Sequence, residues 1–192
     1  MKVSIAQLNP VVGDIKGNLW KIQSTLSKCA KDSPDIVIFP ELFIVGYPPR
    51  DLLERPWFIR NTQKAVKELT NISREYPQTG ILVGAPQPTK KNTGRGLYNS
   101  ALLIYQGQIL MSQHKSLLPT YDVFDEARYF DVGIKMQVLP FKEEILGISI
   151  CEDAWNDPEL WPKRFYPFDP QEALAKNGAT VFINISASPF HI

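Results

Sequence analysis

The run Ile36-Val37-Ile38-Phe39 is apolar at every position and is stopped at once by Pro40 and Glu41. So short a run without alternation is a strand covered on both faces, because only a sheet flanked by other layers hides both sides of it. Upstream, Val3 to Leu8 (VSIAQL) reads as a first strand, broken by Asn9, Pro10 and Gly13. Between the two, Leu19, Ile22, Leu26, Cys29 and Ala30 recur at helical spacing. This predicts a helix from Asn18 with Cys29 on its buried face, ended by Asp32, Ser33 and Pro34. Strand, helix, strand in that order implies an α/β sheet.

The pattern continues along the chain. Helical spacing runs from about Trp57 to Tyr76, and Gly80 to Ala85 reads as another buried strand. Thr89 to Gly96 is a polar loop. Leu97 to Tyr105 and Gln108 to Gln113 read as two strands of a hairpin turning at Gln106-Gly107. An aromatic and acidic loop, Tyr121 to Phe130, follows Pro119. Met136 to Leu139 and Ile145 to Ile150 are expected strands, the second running directly into Cys151. Glu172 to Asn177 reads as the end of a helix stopped by Gly178, and Ala179 to Ile185 as a last strand. A strand followed by so few residues is an unusual close for an α/β domain, so the fold is expected to be incomplete at Ile192.

Composition narrows the class. The 192 residues suffice for one domain, and 44 % hydrophobic content supports a buried core. The net charge of +1, from 21 basic and 20 acidic residues, argues against a nucleic-acid binder. No apolar run reaches the length of a membrane span, and the start MKVSIAQLNP lacks the apolar core of a signal peptide. Cys29 and Cys151 lie far apart, which fits a reducing, cytoplasmic setting better than a disulfide framework. The histidines are His114 and His191, with no Cys/His cluster for zinc, so no metal site is expected.

Three reactive residues share one position in this pattern. Glu41 follows the strand DIVIF, Lys115 follows the strand ending in MSQH, and Cys151 follows LGISI. In open α/β sheets functional groups collect at the carboxyl ends of strands. A thiol attacks an amide only as thiolate, so it needs a base and a positive neighbour. Glu41 can take the thiol proton and pass it to leaving ammonia. Lys115 can stabilise the thiolate and the oxyanion, with the main-chain N–H of Glu152 as a second donor. Loss of one such donor costs about 3 kcal/mol of barrier. Alone, each residue has a plain structural reading: a small buried hydrophobe, a capping carboxylate, a solvated lysine. The joint pattern points to amide hydrolysis.

The segments FPEL (Phe39 to Leu42), HKSLLP (His114 to Pro119) and GISICED (Gly147 to Asp153), with AQLNPVVGD (Ala6 to Asp14), resemble the nitrilase, or carbon–nitrogen hydrolase, superfamily and its Glu-Lys-Cys triad. Within it, GYPPRDLL (Gly46 to Leu53), YDVFDEARYF (Tyr121 to Phe130), ICEDAW (Ile150 to Trp155) and NISASPF (Asn184 to Phe190) resemble the glutaminase domain of glutamine-dependent NAD synthetases.

The resemblance implies an α-β-β-α sandwich, cut short at its C-terminal end, with residues 1–192 forming a glutamine amidohydrolase domain. It implies Glu41 as general base, Lys115 as the lysine and Cys151 as nucleophile. Glu126 matches an additional acidic residue that positions Lys115 or the substrate amide; the alternative is a loop ion pair with Arg128. Tyr121 and Ser188 match positions that contact L-glutamine. Tyr47 and Glu152 are expected to line the same pocket, Tyr47 equally as a packing aromatic. His114 is expected to be structural.

The resemblance also implies a separate C-terminal synthetase domain that uses ATP and Mg, and a homo-oligomer. Neither Ser-Gly-Gly nor the GxxxxGK[ST] pattern occurs here, so no such cofactor is expected on this chain. Two other readings stay open: a free-standing amidase acting on another small amide, and a catalytically silent assembly domain.

Overall fold

The computed structural model describes residues 1–157, 159 and 163–188. Phe190 and His191, named above, lie outside the described residues. The first sheet has strand order β1-β2-β3-β4-β5: β1 (Val3–Ile5), β2 (Ile36–Ile38), β3 (Gly80–Pro88), β4 (Leu97–Tyr105) and β5 (Gln108–His114). The first three run parallel, and β3, β4 and β5 pair antiparallel. The second sheet has order β6-β7-β8: β6 (Val138–Phe141), β7 (Glu144–Ile150) and β8 (Val181–Ile185), with β7 and β8 parallel. The helices are α1 (Ile15–Cys29), α2 (Pro56–Ile72) and α3 (Pro170–Lys176).

The period of two along each strand divides the core into two layers. From β3 and β4, Ile81, Val83, Leu102 and Ile104 join the side chains of α1 and α2. Their neighbours Leu82, Ala101 and Leu103 face the other way and meet Phe141, Leu146, Ile148 and Ile183 of the second sheet. The strands are apolar on both faces because one covers helices and the other covers a second sheet. α3 closes the far side against β7. Gly147 makes that contact possible, since a Cβ there would lie 2.8 Å from Ala179 Cβ and 3.3 Å from Leu174 Cβ. The layers are therefore helix, sheet, sheet, helix, the sandwich that the resemblance implies.

Several boundaries differ from the sequence reading. α1 begins at Ile15, because Asp14 caps it by accepting from Gly17 N at 2.9 Å. Asn18 is instead a buried amide, bonded to Val11 N and Val11 O and to Ile44 O. Ala30 is exposed and Cys29 only half-buried, because the helix tightens there into a 3₁₀ turn, Ala30–Asp32. β1 stops at Ile5, and the strand expected from Met136 starts at Val138. Among the described residues no helix is long and apolar enough to cross a membrane. Nor do they hold a group of three His, Cys, Asp or Glu residues suited to a metal ion.

Candidate active site

Each expected reactive residue sits just past a strand end. Glu41 lies in the turn after β2, whose next residue, Leu42, takes a positive φ of 48°. The turn is held by Val45 N and Gly46 N, both donating to Leu42 O at 3.0 and 2.9 Å, and it presses on β3 at Gly84. A Cβ at Gly84 would stand 2.1 Å from Leu42 N and 2.6 Å from Glu41 C. Gly84→Ala is therefore expected to cost about 1–3 kcal/mol of stability, as overpacking does. Chemical denaturation checks this; an unchanged midpoint would show that turn and strand are not in contact.

Lys115 continues β5, and its N–H donates to Asn99 O of β4 at 2.8 Å. Cys151 follows β7 directly and opens a 3₁₀ turn, Cys151–Ala154. Its φ of 44° is left-handed, a conformation that costs a residue with a Cβ roughly 1–2 kcal/mol.

Glu41 and Lys115 are both 0 % exposed, and Glu126 is buried beside them. Lys115 Nζ donates to Glu41 Oε1 and to Glu126 Oε1, each at 2.8 Å. Asn99 Nδ2 lies between the same carboxylates, 2.7 Å from Glu41 Oε1 and 3.4 Å from Glu126 Oε2. Tyr47 donates its hydroxyl to Glu126 Oε1 at 3.0 Å. An ammonium buried in this way is tolerable only with full pairing. Burial works against its charge, but Glu41 and then Glu126 outweigh it and hold the pKa well above the ordinary lysine value. Two carboxylates crowd one ammonium, and Glu126 shows the strain: burial raises its pKa, Lys115 pulls it down, and the charge of Glu41 pushes it up again. Arg128 pairs with Asp51 and Glu54 and not with Glu126, so the loop ion pair is set aside.

Cys151 is buried at the edge of this cluster. Its Sγ lies 3.6 Å from Ser188 Oγ, which in turn is 2.7 Å from Ser186 Oγ. Ala187 N donates to Glu41 Oε2 at 3.1 Å, so the segment after β8 touches both Cys151 and Glu41. Asn184 Nδ2 donates to Cys151 O at 3.3 Å and to Ser149 Oγ at 3.0 Å. The sequence reading has Lys115 favouring the thiolate. The resting balance runs the other way: burial and then the charge of Glu41 raise the thiol pKa, against the opposing pull of Lys115 and the two serines. A raised thiol pKa makes the thiolate harder to form, so a base beside the thiol matters to its reactivity.

Glu152 turns away from the cluster. Tyr121 donates to both its oxygens, at 2.9 and 2.8 Å, and Tyr166 donates at 3.1 Å. Burial and the Glu152 carboxylate raise the pKa of both tyrosines, so they stay donors. A cleft of about 700 Å³ is bordered by Glu41, Tyr47, Phe124, Ser186, Ala187 and Ser188. Tyr47 borders this cleft, with its ring near Phe124 and its hydroxyl on Glu126. His114 is half-buried, bonded to Ser100 Oγ at 2.7 Å and stacked on Tyr98, outside the cluster's hydrogen bonds.

The sequence reading missed Asn99, Ser186, Asp153 and Tyr166. An amide inside the apolar strand LYNSALLIY was the available signal for Asn99, since a buried amide needs partners. Asp153 stood unassigned inside ICEDAW. Tyr166 carried no local signal.

The chain matches the carbon-nitrogen hydrolase family over residues 2–163. It is 40 % identical over 191 residues to the glutamine-dependent NAD(+) synthetase of Synechocystis sp., covering 98 % of this chain and 34 % of that protein. The structure of glutamine-dependent NAD+ synthetase from Acinetobacter baumannii superposes with a TM-score of 0.83 at 31 % identity, over 100 % of this chain and 33 % of that one. An amidase of the nitrilase superfamily from Nesterenkonia sp. AN1 shares the fold, with a TM-score of 0.79 at 21 % identity over 97 % of this chain and 64 % of that one. This chain thus spans about a third of the length of the synthetases it matches. With two facing sheets between helices and a buried Glu-Lys pair beside a strand-end cysteine, the chain belongs to the carbon–nitrogen hydrolase family.

Proposed function

We propose that residues 1–192 are a glutamine amidohydrolase domain that hydrolyses the side-chain amide of L-glutamine to supply ammonia within a glutamine-dependent NAD(+) synthetase. The observation that carries this reading is the buried Glu41–Lys115–Glu126 cluster beside Cys151, in a chain 40 % identical to a protein of that kind.

The chemistry follows from the geometry. Glu41 takes the proton of the Cys151 thiol, and Sγ attacks the side-chain carbonyl carbon of glutamine. The oxyanion so formed is met by the Lys115 ammonium and by the main-chain N–H of Glu152 at the first turn after β7. Collapse breaks the C–N bond, and the proton on Glu41 leaves with the nitrogen as ammonia. A γ-glutamyl thioester remains on Cys151. Glu41 then takes a proton from water, the hydroxide attacks the thioester, and glutamate leaves as the proton returns to the thiol. The burial and the Glu41 charge that raise the thiol pKa give the base step its weight in this reading. Glu126, bonded by Tyr47 and Asn99, keeps Lys115 in place. The Glu152 carboxylate, held by Tyr121 and Tyr166, supplies a negative group for the ammonium of the amino acid, and Ser188 offers a hydroxyl beside Cys151.

The ammonia would be used to amidate deamido-NAD in a separate synthetase domain with ATP and Mg. That chemistry is assigned to the separate domain, in keeping with the absence of a Ser-Gly-Gly motif from this sequence. The synthetase domain and a second copy of the protein are the proposed partners, and the cytoplasm is the proposed location.

Treatment with the glutamine-like electrophile diazo-oxonorleucine, followed by peptide mass spectrometry, tests the reading. Labelling is expected at Cys151 and to be blocked by glutamine. Labelling at Cys29, or none, would contradict it. Blocking by another small amide but not by glutamine would point instead to a free-standing amidase.

A further inference from the structure

Lys115 and Cys151 belong to different sheets, the lysine at the end of β5 and the cysteine at the end of β7. Their separation therefore depends on how the sheets are tied together at this end. Ala187 N on Glu41 and Tyr121 on Glu152 are two such ties, and a further side chain bonds the main chain next to both residues. Asp153 is 0 % exposed, and its Oδ1 accepts from Ser116 N and Leu117 N, both at 2.9 Å. Its Oδ2 accepts from Ile150 N at 3.0 Å. The first two donors directly follow Lys115, and the third directly precedes Cys151.

We propose that Asp153 is a positioning residue: its carboxylate fixes the main chain after Lys115 against the main chain before Cys151, and so sets the distance between cation and nucleophile. The role rests on Cys151 and Lys115 acting as described under the proposed function.

The residue type follows from the donors. Three main-chain N–H groups converge on two oxygens, and no ion pair with Asp153 occurs among the described residues. An amide has one acceptor oxygen, so asparagine must turn its NH₂ toward Ile150 N or toward the Ser116–Leu117 pair, donor against donor. Glutamate keeps both oxygens but displaces them by one methylene. Other bonds add to this: Lys115 O accepts from Gly133 N at 2.8 Å, Ser116 Oγ donates to Gly133 O at 2.7 Å, and Tyr121 donates to Glu152, but none of them joins the main chain beside Lys115 to the main chain beside Cys151. Burial pushes the Asp153 carboxyl up to about 6 while the three N–H groups hold it down, consistent with a charged form kept by main-chain donors.

The test compares Asp153→Asn and Asp153→Glu with the unaltered protein. Thr180→Ala serves as a control, removing bonds to Ile145 N and Glu144 at the opposite end of β7 from Cys151. The readouts are the thermal midpoint, kcat and KM for glutamine, and the rate at which iodoacetamide alkylates Cys151 relative to Cys29. A displacement of reacting groups on the ångström scale costs up to about 100-fold. Asp153→Asn is therefore expected to lower kcat about 10- to 100-fold with KM within about threefold, and to change the Cys151 alkylation rate while that of Cys29 stays constant. Asp153→Glu should recover part of kcat. The control should lose stability without the kcat loss. A kcat loss no larger than that of the control, an unchanged Cys151 alkylation rate, or failure of both variants to fold would overturn the proposal. If the unaltered protein does not hydrolyse glutamine, the proposed function falls, while the alkylation comparison still decides whether Asp153 positions the thiol.

Discussion

Lys115→Met is expected to destabilise the protein by about 3–5 kcal/mol and to remove the proposed glutamine hydrolysis. The side chain is as long and as easily buried, so volume is nearly conserved. What is lost is the one ammonium to which Glu41 Oε1 and Glu126 Oε1 both bond at 2.8 Å. Two buried carboxylates then face each other across Asn99 with no cation between them. The cheapest response is uptake of a proton by the pair, since like charges without a cation disfavour the ionised form. Tyr47 keeps an acceptor on Glu126, but the oxyanion loses its charged donor and the thiolate its positive neighbour. Denaturant unfolding gives the stability loss, and ammonia release from glutamine gives the activity. A variant of unchanged stability would show that the pair is not buried as described.

Cys151→Ala has the opposite profile. Activity should fall by about 10⁵-fold or more, the scale on which removing a nucleophile disables a catalytic unit. Stability should change by less than about 1 kcal/mol. Alanine keeps the Cβ at the left-handed φ of 44°, so the strain there is neither relieved nor increased. Only a small apolar contact and a long Sγ to Ser188 interaction disappear. Equal rates of ammonia release from the two proteins would support the silent assembly reading of this chain. A large stability loss would mean that the thiol is chiefly a packing element.

The contrast between these variants shows which parts of the site were legible in the sequence. Glu41 could be read because it follows the apolar run Ile36 to Phe39, while Lys115 and Cys151 follow strands of more mixed composition; all three stand at strand ends, where an α/β sheet presents its groups. The two-sided burial of Ile36 to Phe39 likewise dictated a covered sheet, and the structure supplies α1 and α2 on one face and the second sheet on the other. The partners that complete the site were not legible, because they depend on contacts between distant segments. Asn99 meets Glu41 across 58 positions, and Ala187 meets it across 146. Asp153 looks like any acidic residue in a turn until β5 and β7 are placed side by side. The direction of the Cys151 shift was also out of reach, since it is set by burial and by the charge of Glu41 against the pull of Lys115. The start of α1 was placed late, at Asn18, because the apolar spacing was counted from Leu19 and the cap at Asp14 lies before it.

The central claim is that Cys151 carries a γ-glutamyl group during turnover. Mixing the protein with excess glutamine, quenching in acid within the first turnovers and mapping peptides by mass spectrometry tests it directly. The account predicts an increase of one glutamyl residue on the peptide containing Cys151, absent from Cys151→Ala and from the peptide containing Cys29. Steady release of ammonia with no adduct on Cys151, or with activity retained in Cys151→Ala, would contradict it.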